Sequence, residues 1–576
     1  MYDVFFVDKV NRTFADNLVA FGLATVLRDL LSRQGDSPHD VLIQDRGGYF
    51  QLTCTPGLAR ETIARAGRLC PARPIRTAKN ADTLPVDIPY TDYEQDRELV
   101  NQYYAARDKN VDRDNLPPLP DSWDISRAIN PGALPGYNSL AINWWNLGAH
   151  QPDALSLLFE LYSATPNDYA GAVVRWKQLD KEHGWGISAE TTCLQLYNPD
   201  QGKGQNKTKA NGLSIGNVNG FWLAEWLKAV GFYDAAMTRL VRGAKDRKTF
   251  VVAPRELSHS VSRSVMADFQ NTMTAETSTR FDILAAIRYT RALLRHLSSE
   301  DTLLQRLYRQ RNIQKRVVAG FDTAFYKDMG NAVATMNVSF IALPGWVTIE
   351  SREDIDLYND DEHGLLAQLD RLTRQFDESH SDAFTLLQHL RDFVSGDDLD
   401  AFFSFTNGFP AYYMGRRERN QYAYQLTTHF IERLVMSTDK RLTPILESKG
   451  FQNVAYAIRQ STVTAQYRKK QGDRRYDVRY GLGQELARKA IYPDAFIAAL
   501  SDFLHKYNAE NAQVMETRPG PYRQSIKTTD IDEIVRLIDE YGSETVANLL
   551  IAYGYARVPY EEDQSENKSI QEENNQ

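Results

Sequence analysis

The chain has 576 residues, of which 42% are hydrophobic, 11% aromatic and 25% charged. That is the balance of a folded protein of two or three structural units, and it excludes a collagen-like, wholly disordered or multi-span membrane chain. The net charge of -8 argues against a uniformly basic nucleic-acid binder, yet residues 561–576 hold six acids against Lys568 and carry five of those eight negative charges. The rest of the chain is close to neutral and has room for local basic surfaces.

In chain order, Tyr2 to Val7 reads as a strand and Thr13 to Leu31 as a helix. Charges interrupt the short apolar N-terminal stretch, so no signal peptide is expected there. Val41–Ile43 and Tyr49–Thr53 flank Asp45-Arg46-Gly47-Gly48, which is hairpin chemistry. From Pro71 to Pro120 proline and charge increase, which reads as an irregular surface segment. Thr191 to Tyr197 is a further strand candidate. It runs into a polar stretch, Asn198 to Gly220, and then into a helix containing Trp222, Trp226 and Phe232. Ala332 to Ile349 is the longest uncharged run, and its polar residues and Pro344-Gly345 predict two strands and a turn rather than a membrane span.

After about Glu350 the pattern becomes helical. Leu365, Leu366, Leu369, Leu372 and Phe376 share one face, as do Phe384, Leu387, Leu390 and Phe393. From Leu434 onward four or five helices are expected, punctuated by Pro444, Gly450, Gly472, Pro493 and Pro519-Gly520-Pro521. The expected fold class is therefore an α+β N-terminal body with a mostly α-helical C-terminal region ending in a small helical bundle. The expected divisions are 1–350, 351–435, 436–560 and a disordered acidic tail at 561–576.

The three cysteines, Cys54, Cys70 and Cys193, form no CxxC pair, so neither a disulfide framework nor a cysteine-based zinc site is expected. A reducing, cytoplasmic setting fits them best. Among the ten histidines there is no HExxH. His39-Asp40 and His380-Ser381-Asp382 read as structural, and neither a metal nor a cofactor is expected. There is no P-loop. Gly212-Leu213-Ser214-Ile215-Gly216 matches the serine-hydrolase elbow, but Lys207-Thr208-Lys209-Ala210-Asn211 before it is unsuited to the buried strand an elbow needs. A hydrolase using Ser214 is the rival reading, and it predicts labelling by a fluorophosphonate.

Two regions have the composition of nucleic-acid contacts. In Asn198 to Gly212, Lys203, Lys207 and Lys209 alternate with Gln205, Asn206, Asn211 and glycines. Lysines attract phosphate, and side-chain amides read base edges. The same residues also make ordinary solvated loops. Between Arg459 and Lys489 nine basic residues, including Arg468, Lys469, Arg475 and Arg479, face only Asp473, Asp477 and Glu485. Tyr467, Tyr476 and Tyr480 are interleaved, a mixture that suits a single strand whose bases stack; the alternative is a solvated helix face. Arg416, Arg417 and Arg419 beside Tyr412 and Tyr413 make a third, smaller patch with the same two readings.

The loop Asn198 to Gly212, leading into Gly220-Phe221-Trp222-Leu223-Ala224-Glu225-Trp226-Leu227-Lys228, resembles the large subunit of type I CRISPR effector complexes (Cascade), most closely the I-B-related group. Residues 455–511 strengthen this, especially Arg479-Tyr480-Gly481-Leu482-Gly483-Gln484-Glu485-Leu486 and Phe503-Leu504-His505-Lys506-Tyr507-Asn508. They resemble the small-subunit module fused to such large subunits. The likeness covers the middle and C-terminal parts and is loose over the first 140 residues.

The resemblance implies a non-enzymatic role in antiviral defence or guided transposition. A guide RNA would read target double-stranded DNA while this subunit inspects an adjacent duplex motif. It implies contacts to that motif from Lys203, Gln205, Asn206, Lys207, Lys209 and Asn211, and phosphate contacts from Arg468, Lys469, Arg475 and Arg479. The implied partners are CRISPR backbone and small subunits, together with a helicase-nuclease or transposition proteins; no membrane is implied. Related systems also make a separate small subunit by internal initiation. Starting at Met436 would give 141 residues; Met436 reads equally well as a helix core position.

Overall fold

The computed structural model describes residues 2–35, 38–108, 117, 120, 133–199, 218–299, 316–329, 333–349, 351–517 and 522–558. They form an α+β N-terminal region and a mostly helical C-terminal region. Two compact units contain them, one of residues 1–281 with 288–343, the other of 282–287 with 344–576. The expected segments 351–435 and 436–560 thus both lie in the second unit, and Met436 lies in the helix Thr428–Thr438 but is 49% exposed, not a core position. The acidic tail is outside the described residues. Among the described residues no helix is long and apolar enough to cross a membrane.

In the first unit the strand Tyr2–Asp8 leads through the cap Thr13, whose hydroxyl accepts from Ala15 N, into the helix Phe14–Leu31. An antiparallel sheet forms in the order Tyr2–Asp8, Tyr49–Leu58, Asp40–Asp45, Glu256–Ser258. A second antiparallel sheet has the order Val333–Ala342, Val318–Asp328, Arg247–Pro254, Ala236–Leu240. Between strands and sheets run Phe14–Leu31 and Trp222–Ala235, both buried over most of their length. Gly22 and Gly231 stand where these helices touch, each against a backbone carbonyl of the other helix.

The segment 71–120 is not irregular throughout: it contains the helix Tyr93–Asp108, started by the Asp92 carboxylate, which accepts from Glu94 N and Gln95 N. Thr191–Tyr197 is not one strand. The strand is Glu190–Thr192, and the chain then turns, with Tyr197 N and Asn198 N both donating to Leu194 O. The uncharged run 332–349 holds one strand, Val333–Ala342, rather than two, because its partner Val318–Asp328 precedes it in the chain.

In the second unit Leu387, Leu390 and Phe393 are buried, but Phe384 on the same expected face is 37% exposed. Beyond Leu442 the described residues hold seven helices rather than four or five: Thr443–Glu447, Lys449–Ser461, Val463–Lys470, Leu482–Lys489, Pro493–Thr517, Thr528–Tyr541 and Ser543–Gly554. The extra count comes from short helices divided by caps such as Ser448, whose hydroxyl accepts from Phe451 N. Gly450 stands at such a division, one residue after the start of the second helix. It lies inside Lys449–Ser461, where a side chain would press on Asp530 O and Glu533.

Candidate nucleic-acid interface

Of the sequence candidates, Lys203, Gln205, Asn206, Lys207, Lys209, Asn211 and Ser214 lie outside the described residues. In the first unit Asn198, Glu225 and Lys228 form one buried polar cluster. Lys228 Nζ lies 2.5 Å from Glu225 Oε1 and 2.7 Å from Asn198 Oδ1, and Asn198 Nδ2 donates to Glu225 Oε2 at 3.0 Å. The Lys228 and Glu225 side chains are 6% and 1% exposed. Burying such a pair is costly unless its remaining lone pairs are filled, which Asn198 and Cys193 do here. Burial, then the Glu225 carboxylate, pushes the Cys193 thiol up to about 12, so it stays protonated. Cys193 N donates to Val218 O at 2.9 Å.

The second candidate surface lies in the second unit, and there two patches that are separate in sequence become one. The helix Leu399–Glu418 brings Arg417 and Glu418 to the helix Val463–Lys470. The Arg417 guanidinium stands 5.8 Å from the centre of the Tyr467 ring, and Lys469 Nζ stands 5.6 Å from that of Tyr480. Lys470 donates to Arg417 O and, at 2.6 Å, to Asn420 Oδ1. Glu418 accepts from Gln466 at 3.0 Å and from Tyr480 at 3.1 Å. Those two bonds, with Lys469 and Lys470 near, hold its carboxyl below the usual glutamate range. Tyr467 is 51% exposed and Tyr480 39% exposed. The surface therefore offers two exposed aromatic rings, each with a cation over it.

Not every arginine of the sequence cluster is presented in this way. Arg468 is half-buried and Arg474 exposed. Arg475 forms a fork with Asp473, its Nη2 2.8 Å from Oδ2 and its Nε 3.0 Å from Oδ1. Arg479 lies 3.7 Å from Glu510 and over the Phe503 ring. From the third patch, Arg416 turns inward to donate to Gln375 O and Tyr412. Sequence reading missed the carboxylates Glu418 and Glu510, because neither lies within the 459–489 window.

The Arg475 fork lowers the Asp473 carboxyl from its ordinary 3.8 to about 2. A depressed carboxyl contributes stability that is present above its unfolded value and is lost as pH falls through the folded one. Asp473→Asn is thus expected to destabilise the chain at pH 6, with the difference from the unmodified chain shrinking between pH 4 and pH 2. Urea unfolding across that range checks this, and a penalty independent of pH would contradict it.

No family model matches this chain, and no curated protein matches it.

Proposed function

We propose that this chain is a non-enzymatic, nucleic-acid-binding subunit, the large subunit of a cytoplasmic RNA-guided DNA surveillance complex. The observation that carries the binding reading is the joined surface at 417–420 and 466–480. A single strand needs a positive track for its phosphates and open rings for its bases, and Arg417, Lys469 and Lys470 with Tyr467 and Tyr480 supply both. The guide-RNA assignment rests on the sequence resemblance, with segment 200–217 as the part that inspects the duplex. The buried Glu225–Lys228–Asn198 cluster supports that assignment, because a probing loop must be held by a rigid base. Backbone and small CRISPR subunits, guide RNA and a helicase-nuclease or transposition protein are its proposed partners.

The binding reading is tested with the full chain and a fluorescent single-stranded oligonucleotide titrated at several salt concentrations. Tyr467→Ala with Tyr480→Ala is expected to weaken binding by at least about 30-fold, since stacking contributes ~1–3 kcal/mol per base and two rings are lost. Lys469→Gln with Arg417→Gln is expected to flatten the salt dependence by about 0.7 per cation removed. Unchanged affinity and slope in both pairs would remove this surface from the proposal. For the loop, alanine at Lys203, Lys207 and Lys209 should weaken duplex binding at all sequences. Replacing Gln205 or Asn206 should instead alter which adjacent motif is tolerated. Recovery of short repeat-derived RNAs and partner subunits with the tagged chain tests the assembly.

A further inference from the structure

The helices Gln151–Leu161 and Tyr169–His183 pack against each other in the first unit, joined by a short turn, so the start of one meets the end of the other. At that open end stand His150, Asp153 and His183. Each offers one ligand atom, and the three atoms lie within 4.8 Å of one another. Asp153 Oδ2 is 3.6 Å from His150 Nδ1 and 3.3 Å from His183 Nε2. Ligand atoms held at about 2.0–2.1 Å around a tetrahedral zinc stand roughly 3.4 Å apart, so two of the three separations already suit a shared cation.

The imidazole rings of His150 and His183 stack with centres 4.1 Å apart and planes 29° from parallel, and Trp185 backs His183 at 5.3 Å. Coordination asks the two rings to turn until their in-plane lone pairs converge. The side chains of His150, Asp153 and His183 are 43%, 47% and 25% exposed, so solvent and an ion reach them. Turning His183 means sliding it out of its stack between His150 and Trp185. Two neutral imidazoles and one carboxylate are a donor set for a late first-row divalent cation, and three protein ligands leave one position for water or a further ligand.

We propose that His150, Asp153 and His183 form a binding site for a zinc-class divalent cation, which clips the open end of this helical hairpin. The site does not depend on the nucleic-acid reading. Sequence spacing conceals it, because Asp153 follows His150 by three residues but His183 arrives only through the hairpin.

The metal-free full chain is titrated with Co²⁺, followed by its visible absorption, and then with Zn²⁺ in competition with a chromophoric chelator. One equivalent is expected to bind, with a tetrahedral Co²⁺ spectrum that Zn²⁺ abolishes. His150→Ala with His183→Ala should lose both signals, and Asp153→Asn should weaken binding by at least about tenfold. Zn²⁺ should raise the thermal midpoint of the unmodified chain and leave that of the double variant unchanged. The metal-free midpoints establish that the variants fold; should the double variant not fold, His183→Gln alone takes its place, with the same loss expected. Absence of a stoichiometric site in the unmodified chain overturns the proposal. Equal binding by the folded variants overturns it too, since the other histidines would then hold the metal.

Discussion

Replacing Gly22 or Gly231 with alanine is expected to destabilise the first unit by more than about 3 kcal/mol, well beyond an ordinary surface change. Both glycines sit in helices with ordinary right-handed backbone, where alanine would normally be the better residue. The expected loss arises from contact alone. A methyl group at position 22 would collide with the Leu227 carbonyl oxygen, and one at position 231 with that of Leu18. Neither carbonyl can withdraw without moving a whole helix, because Phe14–Leu31 and Trp222–Ala235 are packed on nearly every side. Denaturant unfolding of each variant measures the loss. Trp222–Ala235 also carries Glu225 and Lys228, so the variants are also expected to disturb the buried cluster these make with Asn198. A variant as stable as the unmodified chain would show that the two helices have room to separate.

The second large effect is expected at Glu510. This carboxylate, on the helix Pro493–Thr517, accepts from Arg523 at 3.3 Å and from Asp477 N at 2.6 Å, and lies 3.7 Å from Arg479. The Arg523 side chain is 1% exposed and its guanidinium rests 3.3 Å from the centre of the Tyr476 ring. Its Nε and Nη2 make no hydrogen bond among the described residues, so the charge depends on Glu510 and on the rings of Tyr476 and Tyr507. Burial already pulls the Arg523 pKa below the usual arginine range, and Glu510 opposes that pull.

Glu510→Ala is therefore expected to cost about 3–5 kcal/mol, the range for breaking a buried pair and leaving one charge behind. Adding Arg523→Met should recover much of that loss, because a long apolar side chain fills the site without a charge to desolvate. A double-mutant cycle by urea unfolding reads the coupling, and strictly additive losses would refute it. The same cycle bears on the proposed interface. Glu510 also steadies the Asp473–Tyr480 segment through Asp477 N, so Glu510→Ala should lower oligonucleotide affinity with no change at Tyr467 or Lys469 themselves.

Much of the architecture was legible from local patterns. The 3.6-residue spacing of Leu365, Leu366, Leu369 and Leu372 gives a helix whose face is buried, and Thr13 marks a helix start one residue before Phe14. The hairpin at Asp45–Gly48 and the helical character after residue 350 follow from turn chemistry and periodicity in the same way. Errors fell where a distant partner decides. Residues 332–349 have the apolar content of two strands, yet the pairing strand lies upstream at Val318–Asp328. Gly450 does mark a division between helices, but its small size is required by the packed Asp530 and Glu533, which lie some eighty residues away in the chain.

By itself the sequence determined which residue types are available: a near-neutral body, an acidic end, basic residues interleaved with tyrosine, and helices from residue 350 onward. Only the tertiary structure decided which of those cations stay presented. Arg475 is tied by Asp473 and Arg479 by Glu510, whereas Arg417 and Lys469 stand beside exposed rings. It also decided that residues 417–420 and 466–480 form one surface, and that His183 meets His150 and Asp153. The reason is physical: spacing along a helix specifies which side chains share a face, but carries no record of which other face will cover it.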